Sequence, residues 1–253
     1  MTGQNNNPGF VESFKRLLGK AYGKENLCDN ARFIFADVPV DKNEASRRLP
    51  WGLRLTDPPR ATLFIVDYTQ TSFTVPYHEA AVLLHVRHLF GTGLHCPWMI
   101  VDDDTAMIYG RELLGYPKKM GEFVFEEDDK KISAGVARRG VKVLSIEGVK
   151  DKKRAVPGPV FDVKTFNVGG PGGLFLFNPI WMFRPKEVVH ESYYMEVEVK
   201  IEPSEFDPIA DMVAGDPVSG RFAAIDILSS RYNVPVGFAG FRYLGINHDI
   251  RFR

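Results

Sequence analysis

Between Met195 and Ile201 the chain alternates without a break. Met195, Val197, Val199 and Ile201 are apolar, while Glu196, Glu198 and Lys200 are charged. A period of two marks a strand with one face on a core and the other in water, the usual state of an antiparallel sheet. Other segments give the strand signal with different burial. Ala61 to Tyr68 (ATLFIVDY) is a short apolar run, as a strand covered on both faces requires. Arg32 to Val38 alternates in part, and Tyr77 to Val86 and Trp98 to Tyr109 read as further strands. Phe123 to Ser145 reads as a meander, with a charged hairpin tip at Glu126 to Lys131 and a second turn at Arg138-Arg139-Gly140. The 17 Pro and 23 Gly, with 12% aromatic residues, suit short strands and turns better than long helices.

Helical signals are few. Val11 to Leu18 reads as a short amphipathic helix ended by Gly19. Asp41 followed by Glu44 resembles a capping box, predicting a helix over Lys42 to Leu49 that stops at Pro50. Pro203 to Val213 and Ser219 to Ser230 are further candidate helices. The expectation is a mainly β, β-rich α+β fold. Residues 1–253 form a single domain, of which 1–30 are an N-terminal extension with a short helix.

Charge removes several function classes. Thirty-two Lys+Arg balance 32 Asp+Glu, which argues against a nucleic-acid surface and against attraction to anionic membranes. No apolar run has the roughly 18 residues of a membrane span, and the first ten residues lack the pattern of a signal peptide. Two cysteines, Cys28 and Cys96, cannot form a disulfide framework, so a cytoplasmic location is expected.

Most candidate chemistry fails on spacing. His78, His85 and His88 lie close in sequence, but residues three apart on a strand face opposite sides, and there is no HExxH motif or cysteine pair to hold a metal. Asp102 to Asp104 reads as a polar turn between two strands. Asn167 to Gly173 (NVGGPGG) lacks the lysine and hydroxyl of a phosphate loop, so the Gly169–Gly173 stretch reads as a plain loop. Lys150 to Arg154 reads as a solvated basic loop.

Gly110 to Gly121 (GRELLGYPKKMG) is different. Pro117 restricts itself and Tyr116, and two adjacent lysines follow in an apolar setting. A lysine is a nucleophile only when unprotonated, and a neighbouring ammonium and an apolar pocket both favour that form. Lys118 and Lys119 therefore stand either as solvated surface lysines or as an amine tuned for Schiff-base chemistry.

This segment resembles the signature of the acetoacetate decarboxylase family, in which Gly-Arg-Glu precedes Tyr-Pro-Lys-Lys-x-Gly. The resemblance runs from Arg32 to Ile146, with further counterparts at Gly173 to Pro179 and Val234 to Val236. It implies an antiparallel cone-like β-barrel or double sheet with a few short helices, assembled as a homo-oligomer. It also implies that Lys118 forms an imine, that Lys119 raises the local positive potential, and that Glu79, in Tyr77-His78-Glu79, moves protons. Arg32 falls on an active-site arginine. Phe64 falls where the family's decarboxylases carry a second glutamate. Phe64, Tyr77, Tyr116 and Ile100 are the expected walls of the substrate pocket.

The expected reaction is decarboxylation of a small 3-oxo acid such as acetoacetate through a Lys118 imine, with no metal or organic cofactor, because the imine is itself the electron sink. The alternative uses the same lysine in an aldolase-dehydratase that joins pyruvate or a related 2-oxo acid to an aldehyde. A third reading is a non-catalytic barrel that binds a small carbonyl compound.

Overall fold

A computed structural model of the chain describes residues 26–156, 158–169 and 178–252. The expected helix at Val11 to Leu18 and most of the glycine-rich Gly169–Gly173 stretch lie outside these. The elements in order are β1 (Cys28–Pro39), α1 (Lys42–Arg47), β2 (Arg54–Leu55), β3 (Arg60–Tyr68), β4 (Gln70–Thr71), β5 (Tyr77–His88), β6 (Gly91–Val101), α2 (Asp104–Leu114), β7 (Lys118–Met120), β8 (Glu122–Glu127), β9 (Lys131–Arg138), β10 (Val141–Ala155), β11 (Thr165–Val168), β12 (Pro179–Lys200), α3 (Ile209–Met212), β13 (Ser219–Phe238) and α4 (Arg242–Phe252).

The strands run in the order β11-β6-β5-β3-β1-β13-β12, and β12 pairs back onto β11, so the sheet closes into a barrel. Closure removes the exposed edges that an open sheet would carry. Strand β12 is long enough to serve two partners. Its first part, Ile180 to Phe183, pairs with β11, and its last part, Met195 to Lys200, pairs with β10. Strands β10, β9 and β8 extend from that second part as the expected meander, turning at Arg139 and Gly140, both at positive φ.

Alternation along each strand sorts side chains between two cores. On β1, Phe33 and Phe35 enter one cluster with Phe64, Tyr68, Tyr77 and Met99. Ile34 and Ala36 enter the other with Leu63, Ile65, Trp98 and Ile100. Strand β3 contributes to both, so its apolar run has no polar face.

Four expectations change. Ser219 to Ser230 is not helical but opens β13, paired with both β1 and β12. Its Phe222, Ala223, Ala224 and Ile225 are buried, and two-sided pairing overrides the helix preference of the alanines. The strand expected to run to Tyr109 ends at Val101, because Asp103 accepts a 2.7 Å hydrogen bond from Ala106 N and caps α2. The Asp102–Asp104 turn thus joins a strand to a helix. Lys150 to Arg154 lies on β10, not in a loop, and Lys150 is buried against Glu127.

The Asp41 cap holds, with its carboxylate accepting from Asn43 N and Glu44 N at 2.8 Å. The reciprocal half of a capping box is replaced, since Asp41 N donates to Met212 O and Glu44 turns to Arg47. Pro203 to Val213 yields only the short α3.

Candidate active site

Helix α2 delivers the Lys118 segment. Gly115, at φ 75°, ends the helix in the left-handed conformation glycine favours, and Tyr116 N bonds back to Gly110 O at 3.1 Å. Tyr116 and Pro117 then lead into β7, which runs parallel to β6 with Lys118 beside Met99 and Lys119 beside Ile100. The helix lies so close to the lysine that a Cβ at Gly110 would stand 2.4 Å from Lys118 Cε. The first glycine of the signature is therefore room for the lysine chain.

Lys118 Nζ lies 2.6 Å from Glu79 Oε2, and both side chains are almost fully buried. The Nζ also sits 5.4 Å from the centroid of the Tyr77 ring. The pocket around this pair is lined by Cys28 of β1, Tyr68 of β3, Phe183 of β12 and Ile227 of β13, with Tyr116 and Phe161. These four strands are consecutive neighbours in the sheet, in the order β3-β1-β13-β12. Burial raises the titration of the Tyr68 and Tyr77 phenols and the Cys28 thiol, and the nearby Glu79 charge adds to it. All three stay neutral at ordinary pH.

Lys119 leaves in the opposite direction, because neighbours on a strand face opposite sides. Its Nζ donates to Asp207 Oδ1 at 2.9 Å. Asp207 also accepts from Trp98 Nε1 at 2.8 Å and pairs with Arg138 Nη1 at 3.0 Å. Burial lowers the titration of Lys119 against the pull of Asp207. Burial alone would raise Asp207, but Lys119, Trp98 and Arg138 together hold it below its ordinary value. The expected pairing of two ammonium groups in one pocket is thus replaced by two separate ion-pair sites.

Two more expected positions move. Arg32 points away from Lys118 into a cleft with Asp67, Glu127 and Lys150, and its guanidinium pairs with Glu127. It alternates with Phe33, which faces the lysine side. Ile100 belongs to the outer core with Lys119, so Met99 takes its place on the Lys118 face. Tyr77 and Tyr116 line the pocket with Lys118 and Glu79. Phe64 is fully buried one layer behind, its ring 6.0 Å from Phe161. Phe161, Tyr68, Phe73 and Tyr109 also line the pocket, and Asp207 anchors Lys119. Their only sequence signal was the aromatic surplus and a lone aspartate before Pro208.

His78 bonds Asp102 and His85 bonds Thr62, and the described residues hold no cluster of three or more His, Cys, Asp or Glu suited to a metal ion. Among them, no helix is long and apolar enough to cross a membrane.

A closed β-barrel with a lysine–glutamate pair in its interior places the chain among acetoacetate decarboxylase-like structures. An acetoacetate decarboxylase from Legionella pneumophila matches with a TM-score of 0.75 at 16% identity, covering 86% of this chain and 90% of that one. The enduracididine biosynthesis enzyme MppR, complexed with pyruvate, matches with a TM-score of 0.68 at 15% identity, covering 86% and 92%. The sequence profile of the acetoacetate decarboxylase (ADC) family matches residues 18–234, and the chain belongs to that family. Decarboxylase DEC1 of Cochliobolus heterostrophus is 29% identical over 102 residues, a match spanning 40% of this chain and 39% of that protein.

Proposed function

We propose that the protein is a Schiff-base enzyme that decarboxylates a 3-oxo acid through Lys118. The observation that supports this most is the 2.6 Å contact between Lys118 Nζ and Glu79 Oε2 at the floor of an apolar pocket. Moving the proton across that contact removes both charges at once and leaves an unprotonated amine. The amine adds to the substrate ketone carbon to give a carbinolamine. Glu79 returns the proton to the hydroxyl, and water leaves as the protonated imine forms. The bond from the α carbon to the carboxylate then breaks. Carbon dioxide departs, and the bonding electrons pass into the imine to give an enamine. Protonation at carbon and hydrolysis release the ketone and restore Lys118.

Among the described lining residues, Lys118 is the one cation. A carboxylate held there without a partner is poorly solvated, and losing it as neutral carbon dioxide relieves that cost. An aldolase acting on a 2-oxo acid keeps its carboxylate throughout and needs a partner for it, so the same lining argues against the aldolase-dehydratase reading. Phe64, where the family's decarboxylases carry a glutamate, is what favours that second reading. Exposed Trp51 and Leu89 are consistent with a homo-oligomer, which sedimentation would test.

Incubation with acetoacetate and borohydride should attach the reduced product adduct to Lys118, and carbon dioxide should appear without borohydride. Turnover of pyruvate with an aldehyde, and no carbon dioxide from any 3-oxo acid, would replace the decarboxylase reading with the aldolase. No adduct with any oxo acid, with ketones still bound, would leave the binding barrel.

A further inference from the structure

Part of the wall around Lys118 is not built from the sheet. Phe161 lies in the connection between β10 and β11, and it lines the pocket together with Phe183, Pro185 and Ile227. Its ring packs 5.6 Å from Phe33 and 6.0 Å from Phe64, and it is buried in the same cluster as Val160. A loop residue keeps such a place only if its backbone is held, because loops open more readily than strands.

Glu187 of β12 provides the hold. Its Oε1 accepts from Val160 N at 2.6 Å, and its Oε2 accepts from Phe161 N at 2.5 Å and Asp162 N at 3.0 Å. Three successive N–H groups converge on one carboxylate, and such charge-assisted bonds are stronger than neutral ones. Glu187 stands opposite Ile227 in the β12–β13 ladder, two residues beyond Pro185, so the hold is applied beside two residues that line the pocket. Asp162 ties the same loop from outside, accepting from Arg184 Nε at 2.6 Å and Arg231 Nη2 at 2.7 Å. Both arginines are partly exposed, so their pairs add less. Glu187 itself is not among the residues that line the pocket.

We propose that Glu187 is a positioning residue. By clamping residues 160–162 it keeps the Phe161 ring in the pocket wall and water out of the site. This rests on the imine reading of Lys118. Loss of a carboxylate as carbon dioxide is favoured in a dry site, so freeing Phe161 slows the chemical step more than it weakens binding.

The test has two arms. In the first, kcat and KM are measured with acetoacetate. Glu187→Gln keeps the size of the side chain but puts an NH2 where one oxygen accepted, a donor facing donors. Its kcat should fall about tenfold, with KM within about twofold of wild type. Phe161→Ala should show the same split. The double variant should match Phe161→Ala alone within about twofold, because Glu187 acts only through that ring. Glu187→Asp keeps the charge with a shorter reach and should lie between Glu187→Gln and wild type. It takes the place of Glu187→Gln in the double variant if the glutamine protein does not fold. Losses that multiply, or a lowered melting temperature with kcat unchanged, make Glu187 merely structural and overturn the proposal.

The second arm needs no reaction. Amide hydrogen exchange over residues 158–164 should speed at least about tenfold in Glu187→Gln. Faster exchange supports the clamp even where the wild-type protein releases no carbon dioxide, an outcome that fails the imine reading alone. Unchanged exchange overturns the clamp even where the wild type decarboxylates acetoacetate.

Discussion

Lys118 and Lys119 are the same side chain, one residue apart, equally buried, and each is paired with a carboxylate. Their surroundings separate them. Among the described residues, Lys118 shares Glu79 with no other cation, and it stands at the floor of a pocket that opens outward. Lys119 shares Asp207 with Arg138 and the Trp98 N–H, so its proton is held by a network with two cations around one anion. A single buried pair can exchange its proton and become neutral. A carboxylate clamped by two cations and an indole cannot do so without leaving a charge unpartnered. A double lysine on a strand sends one side chain to each face: under the proposed mechanism Lys118 does the chemistry, while Lys119 ties β7 to Asp207.

The largest expected effect falls on that division. Lys118→Ala and Lys118→Arg should lower turnover on the order of a thousandfold or more, because the nucleophile is lost in one and permanently protonated in the other. Lys119→Ala should keep most of the activity and lose stability instead, as read by thermal unfolding. If Lys119→Ala instead moves the pH optimum upward with little change in melting temperature, the two lysines are coupled across the strand and the comparison breaks.

Next comes Asp207→Ala, which leaves Lys119 and Arg138 buried without their shared anion. Such a loss costs about 3–5 kcal/mol, measurable by urea denaturation. Because Asp207 titrates low in the folded protein, its stabilisation is present above the unfolded carboxylate value. It is lost as pH falls through the folded value, so the variant should lack that acid-side loss. An unchanged unfolding midpoint would make the network dispensable.

His95, buried against Phe166 and Tyr243, gives the pH a second handle. Burial pushes its imidazole down to about 4, while its ring bonds Phe166 O at 2.7 Å and Tyr243 at 3.3 Å. The unfolded chain binds the proton near pH 6.5 and the folded chain only near 4. Stability should therefore decline as pH falls from about 6.5 to about 4, by roughly 3 kcal/mol in all. His95→Gln should flatten that interval, and a slope unchanged in the variant would assign it to other groups.

Much of the barrel was legible because strands announce themselves locally. The alternation at Met195 to Ile201 and the apolar run at Ala61 to Tyr68 each became the strand they predicted. Ser219 to Ser230 misled because its alanines suit a helix, and only pairing with strands distant in sequence makes it β. The candidate site was legible as far as a motif reaches. Lys118 and Glu79 were named from sequence and meet in space, whereas Arg32 and Ile100 were assigned to the pocket although parity turns them outward. A single residue of register decides the face of a side chain, and short motifs do not carry that information. The walls Phe73, Tyr109 and Phe161 come from two separate loops and a helix, and nothing in their spacing joins them.

Gly110→Ala narrows the test to geometry. The three atoms nearest the new Cβ are Cε, Cδ and Nζ of Lys118, a flexible chain that can give way, so Nζ must shift from Glu79. Alanine also favours the helix. Turnover should drop about 10- to 100-fold with a melting temperature nearly unchanged, since a displacement near 1 Å at a reacting atom costs that much. Full activity would mean that the lysine reaches its working position by another route.

The smallest expected effect belongs to Arg32→Met. The resemblance assigns this arginine to the active site, and the structure turns it to the outer face, where Glu127 receives both Arg32 and Lys150. Removing one of two cations leaves Glu127 paired, and Arg32 is a quarter exposed, so stability should fall by no more than about 1 kcal/mol. The methionine chain retains much of the packing against Phe222, over which the guanidinium lies at 5.1 Å. kcat/KM should stay within about twofold of wild type, because no group of Arg32 lines the Lys118 pocket. A hundredfold loss with the unfolding midpoint unmoved would mean that charge on the outer face reaches the imine through the sheet. The two faces would then be one electrostatic unit, and Lys119 would have to be returned to the catalytic side with it.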